Sequence, residues 1–253
     1  MREYMGIAGY AIFSLSWSLN LLLVWRCFIT GQWRLYGFFS GYVIYTLSSD
    51  LVLFFLFLAR FRLYANLNWV CYALETLLWF AIAWEVFRHT FSRESAVRSI
   101  AAKLLVAVLS LLALLFYLSG PQPGVYLKAE FVRKIALTIV VWMAVVLTLA
   151  RYYRVRMSRN VRGMAVGLLV LASSHIANFA AVEMSRAYAP IWSLVDPSIF
   201  ALTLLIWTVA LWSYAPNPRP VAAGKSMPGE ALSHWEQRWA ALGITIRKII
   251  KQQ

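Results

Sequence analysis

The sequence predicts an all-α fold: a polytopic membrane bundle of seven transmembrane helices with an amphipathic helix at the C-terminus. Three observations carry this reading. The chain is 62% hydrophobic and only 13% charged, its mean hydropathy is +0.67, and its apolar runs recur at span length between short polar connectors. A soluble domain is about 45–50% apolar and about 25% charged, and a helix crossing a bilayer needs about 20 apolar residues. The alternating segments of about ten residues that mark a transmembrane barrel do not occur.

The first predicted span, residues 6–28, directly follows MREYM. It is too long for a signal-peptide core and ends in WRCF without a small-residue cleavage site, so it reads as a retained helix. The second covers 35–59 and the third 67–87. The third belongs to the stretch LNWVCYALETLLWFAIAWEVFRHTF, which carries Glu75 near its middle and Glu85 near its end. An ionisable group inside a span costs roughly 2.5–3.5 kcal/mol or more, so Glu75 must face protein or water. This helix is therefore expected to be the central post of the bundle. The fourth span is 100–118, GPQPG at 120–124 breaks the chain, and the fifth is 131–152. The sixth covers 163–186 and the seventh 198–214, with Asp196 read as N-cap and Pro197 as the first helical residue.

Charge sets the expected orientation. Of the 24 Lys and Arg, 17 fall on the side of Arg26, Arg34, the 88–103 and 151–162 segments and the C-terminal tail. The positive-inside rule then places the N-terminus outside and the tail in the cytoplasm of a bacterial-type inner or plasma membrane. The net charge of +14 is thus assigned to topology and to anionic lipid headgroups, and nucleic-acid binding is not expected. Cys27 and Cys71 fall at different depths, so both are expected as thiols.

The domain reading is a seven-helix region at 1–215, a Pro/Gly-containing linker at 216–229 and a cytoplasmic amphipathic helix at 230–253. In the tail Leu232, Trp235, Trp239, Leu242, Ile246 and Ile249 recur at alternating steps of three and four. Arg238, Arg247 and Lys248 lie off that stripe. Trp235, Arg238, Trp239, Arg247 and Lys248 are candidates for contact with the membrane surface or with a protein partner.

Polar residues inside the spans are the candidate ligand or proton site. Tyr42, Thr46, Ser49 and Asp50 share one face of the second span. Tyr72, Glu75, Thr76 and Trp79 share one of the third. The sixth carries His175 and Asn178, with Glu183 about 80° round the helix. The predicted topology puts Asp50, Glu75, His175, Asn178 and Glu183 between mid-membrane and the outer surface, as if lining one outward-facing cavity. Their alternative role is helix-to-helix glue, worth about 0.6 kcal/mol per hydrogen bond. An ion pair with Arg186 is the competing role for Glu183. Glu85 is expected to pair locally with Arg88 and His89, and Asn20 to bond another helix. Gly37-x-x-x-Gly41 and Gly163-x-x-x-Gly167 suggest close packing of the second span against the sixth. Of the 12 tryptophans, Trp33, Trp69, Trp192 and Trp212 read as an interfacial belt, while Trp17, Trp79, Trp142 and Trp207 lie deeper.

Seven spans with an outside N-terminus resemble rhodopsins and G-protein-coupled receptors in topology alone. The seventh span, SIFALTLLIWTVALWSYA, has no lysine for a retinal Schiff base, and neither D/E-R-Y nor N-P-x-x-Y occurs. His89, His175 and His234 do not form a haem or zinc ligand set. No cofactor is expected. The expected function is non-enzymatic: a membrane sensor, binding module or accessory subunit. The alternative is a small-solute or proton-coupled transporter using Asp50, Glu75 and His175. A membrane-embedded enzyme, for which Ser173 and Ser174 beside His175 are the nearest nucleophile candidates, ranks third.

Overall fold

A computed structural model of the chain describes residues 7–59, 64–92, 95–119, 127–184 and 189–213. These all lie in the first of the two units into which the chain divides, Met1–Asn217 and Pro218–Gln253. The tail candidates Trp235, Arg238, Trp239, Arg247 and Lys248 lie outside the described residues.

The described residues form seven α-helices and one short 3-10 turn, with no strand among them. They are α1 (Ile7–Ile29), α2 (Gly37–Leu58), α3 (Tyr64–Thr90), α4 (Ser95–Ser119), α5 (Leu127–Tyr152), α6 (Arg159–Met184) and α7 (Ala189–Ala210). The first six are long and apolar enough to cross a membrane, and α7 contains a shorter apolar stretch, Leu194–Ala210. Large apolar side chains on the outside, such as Leu118 at 69% exposed, are what a lipid-facing surface requires.

The helices alternate in direction, and two sets of contacts fix the ends. At one end Arg26, Gln32, Phe39, Glu85, His89, Arg159 and the close of α7 come together. At the other, Lys134 of α5 pairs with Glu130 at 2.7 Å and reaches the Phe116 carbonyl of α4 at 3.5 Å. We call the first the arginine-rich end, since Arg26, Arg34, Arg88 and the exposed Arg151, Arg154, Arg156, Arg159 and Arg162 lie there.

Helices α1, α2, α3, α6 and α7 form a ring. Each touches its neighbours in that order, α5 packs on α3 and α6, and α4 packs chiefly on α5. The expected central post is α3, yet α6 is the more enclosed helix: 61% of its apolar window is buried against 39% for α3 and 11% for α4. Small residues explain the difference. A Cβ on Gly163 would fall on Ala210, and one on Gly167 would fall on the Trp207 indole, so α6 and α7 approach closely at these two glycines. The glycine pair therefore serves the α6–α7 seam, which corrects the expected α2–α6 contact. Gly37 and Gly41 of α2 meet nothing within 4 Å. Trp207 completes the seam by donating its indole N–H to the Met164 carbonyl at 3.3 Å.

Helix α7 also corrects its own predicted start. It begins at Ala189, and Pro197 lies inside it, so Asp196 is an interior residue and no N-cap. Proline's fixed φ suits a helix interior as well as its first turn, but its missing N–H removes one backbone bond. The Ser198 hydroxyl sits beside the break and donates to Leu194 O at 2.7 Å.

Polar contacts then lock the arginine-rich end. Helix ends leave backbone groups unpaired, and here side chains from elsewhere satisfy them. Gln32, fully buried, donates to Leu211 O at 3.0 Å. Arg26 bonds Trp212 O and lies 4.4 Å over the Trp212 ring. Arg159 reaches Ser213 Oγ at 2.5 Å and Asn160 reaches Ser213 O at 3.3 Å. Glu85 does the converse for α2: its two carboxylate oxygens accept from the Phe39 N–H at 2.8 Å and the Phe38 N–H at 3.3 Å. Besides the Arg88 charge that acts on it, as expected, Glu85 thus caps a neighbouring helix. His89 turns instead to Leu35 O at 3.1 Å and to the edge of Tyr36.

Between α1 and α2 the Asn20 amide and the Thr46 hydroxyl are hydrogen-bonded at 3.0 Å. Thr46→Val should cost about 0.6 kcal/mol and no more than about 1.7 kcal/mol, the range for single interhelical hydrogen bonds in a membrane. Reversible unfolding in mixed micelles, followed by helical circular dichroism, measures it. Cys27 and Cys71 are free thiols, the first buried.

Candidate functional site

The candidate residues converge on Glu75, which α3 holds at the middle of the bundle. Its Oε1 accepts a hydrogen bond from the Tyr42 hydroxyl of α2 at 2.9 Å. Tyr42 is fully buried because its ring packs edge-on against Trp207 of α7, centroids 5.7 Å apart. Phe39, one turn earlier, meets the same indole at 5.1 Å. The aromatic contacts thus hold the phenol where its O–H reaches the carboxyl. Next to it the fully buried Trp79 turns its indole N–H toward Glu75 and Tyr42 and acts on both, without a well-aligned hydrogen bond to either.

Two further carboxyls act on Glu75 electrostatically. One is Asp50 of α2, two turns beyond Tyr42, and the other is Asp196 of α7. Asp196 also acts on Tyr72. Asp50, Tyr72, Glu75 and Asp196 are half-buried rather than sealed. Asp196 has a buried Oδ1 without a hydrogen-bond partner. Among the described residues, no Lys, Arg or His forms an ion pair with any of the three acids.

His175 joins the group through its ring. It stacks on Tyr72 at 5.7 Å and meets Trp79 edge-on at 4.9 Å. Its Nδ1 donates to Leu171 O, one turn back in α6, at 2.8 Å. A carbonyl only accepts, so Nδ1 carries a proton in this bond. The imidazole therefore braces the aromatic wall beside Glu75 and makes no direct bond to its carboxylate.

The remaining candidates divide. Thr46 is turned to Asn20 of α1 and serves helix packing. Asn178 lies one turn beyond His175 on α6 and is half-buried. Glu183 lies in the last turn of α6, with its side chain outside the described residues. No group of three or more His, Cys, Asp or Glu among the described residues has the arrangement to hold a metal ion.

No known protein family, curated protein or solved structure matches this chain. The geometry of the cluster therefore stands as the ground for a functional reading. Sequence reasoning missed Asp196, whose spacing held the signal: Asp196, Phe200, Thr203 and Trp207 recur at i, i+4, i+7 and i+11 and share one helix face. Pro197 drew the predicted helix start past it.

Proposed function

We propose that the chain is an integral membrane sensor, binding module or accessory subunit in a bacterial-type inner or plasma membrane. Its seven helices cross the bilayer with the arginine-rich end in the cytoplasm, and the Tyr42–Glu75 cluster takes a small ligand or protons from the opposite side. One observation carries this reading: Glu75 sits at mid-bundle with a phenol bonded to one oxygen and two acids near it that no described cation pairs. Helix glue requires no such concentration of like charge, and ionisable groups at membrane depth are costly enough to be kept for function. The basic loops and the 230–253 tail would meet anionic headgroups or a protein partner on the cytoplasmic side.

Native mass spectrometry of the chain extracted in its own lipid tests the proposal. The expected result is a retained small molecule that is lost from Glu75→Gln and weakened in Asp50→Asn, with both variants still helical. A chain that retains nothing but a stoichiometric protein partner would make it an assembly subunit with its acids as glue.

A second reading, small-solute or proton-coupled transport, is favoured by Pro197 inside α7 beside Asp196. Helices with weakened backbone bonding beside polar groups recur at transporter sites, and Pro197 removes one such bond within the continuous α7. Solute uptake by proteoliposomes under an imposed pH gradient separates the two, because a sensor shows none.

A further inference from the structure

We infer that the ligand of the Glu75 cluster is a small organic cation, an alkylammonium carrying an oxygen acceptor. The inference rests on the binding reading above and names its chemical class. Two independent features point to it. The first is charge beside π-surface. Asp50 and Asp196 each lie within electrostatic range of Glu75, and none of the three is paired with a described cation. The rings of Tyr42, Tyr72 and Trp79 adjoin the same spot, with Trp207 packed behind Tyr42. Carboxylates supply the countercharge, and aromatic faces attract a desolvated ammonium without competing for its protons. A neutral or anionic ligand would offer these carboxyls no countercharge.

The second feature is an unused donor. Trp79 is fully buried, and its N–H, which faces the oxygens of Glu75 and Tyr42, forms a well-aligned hydrogen bond with neither. A buried indole N–H ordinarily finds an acceptor. A hydroxyl, ether or carbonyl oxygen two or three bonds from the ammonium would meet it while the cation faces Glu75. Asp196 adds an unpaired buried oxygen able to accept from the ligand.

The test uses the full chain in lipid nanodiscs, with tryptophan fluorescence and thermal unfolding as readouts. Three probes are titrated at matched ionic strength: choline, its neutral isostere 3,3-dimethylbutan-1-ol, and tetramethylammonium. Choline is expected to saturate, to bind the wild-type chain about tenfold or more tightly than the neutral isostere, and to lose about tenfold or more in Glu75→Gln. Trp79→Phe, which keeps a ring and removes the N–H, should weaken choline by a clearly larger factor than tetramethylammonium, which loses only the difference between an indole and a phenyl face. Should Glu75→Gln fail to fold, Asp196→Asn is the substitute, and circular dichroism checks both. Equal binding of choline and its isostere, lost in Glu75→Gln, would keep the binding site and overturn the cationic class. No saturable response to choline or tetramethylammonium would overturn the inference as well, while a retained neutral molecule in the mass spectrum would leave the binding reading standing.

Discussion

Replacing Gly167 with leucine should separate α7 from α6 and lower bundle stability by about 3 kcal/mol, the upper part of the range for overpacking a close-packed interior. The reason is local and rigid. Even the first carbon of a side chain at Gly167 falls on the indole of Trp207, whose ring cannot swing away as a flexible chain end can. Trp207 is fully buried, bonded to Met164 O at 3.3 Å and wedged against Phe39 and Tyr42. Displacing it would disturb the phenol that bonds Glu75, so ligand retention should fall with stability. Gly41→Ala is the control: nothing lies within 4 Å of its Cβ position. It should be neutral, or stabilising by about 0.5–1 kcal/mol through helix propensity. Denaturant unfolding in micelles compares the pair, and equal losses at both positions would refute the seam.

Glu85→Ala should be comparably damaging, at about 3 kcal/mol. It strips the cap from the start of α2 and leaves the Phe38 and Phe39 N–H groups without acceptors in a largely buried site. An unpaired buried donor costs about 1–3 kcal/mol, and a carboxylate at a partly buried helix N-terminus contributes up to about 2 kcal/mol more. Glu85→Gln keeps an acceptor oxygen and gives up the charge, so it should lose about 1 kcal/mol. Hydrogen exchange offers a second readout: the amides of Phe38 and Phe39 should both exchange faster in the alanine variant, whereas the single acceptor oxygen of glutamine can keep only one of them, the shorter-bonded Phe39, near the wild-type rate. Unchanged exchange in Glu85→Ala would remove the cap from the account.

The two experiments probe opposite ends of one connection. Glu85 fixes where α2 begins, and Tyr42 lies less than two turns further along that helix. Trp207 fixes the ring of Tyr42 from the side of α7. The hydrogen bond to Glu75 is held by both, which is why stability and site geometry should respond together.

Hydropathy and helical spacing determined the helical class, the order of the helices and the faces of α2 and α3 on which Tyr42, Asp50 and Glu75 sit. These are local properties, decided by chain length against bilayer thickness and by the 3.6-residue repeat. Which helix each face meets depends on tertiary packing alone. Gly163 and Gly167 announce a close approach without naming the partner, and the complementary shape of Trp207 and Ala210 selects α7. Glu85 has Arg88 three residues away, but a surface pair in water gains little, whereas the orphan amides of α2 require an acceptor. Pro197 suits a first turn better than an interior, yet α7, packed on α1 and α6, runs back past it to Ala189. That extension makes Asp196 the third acid of the cluster, because a side chain's neighbours are set by where its helix runs.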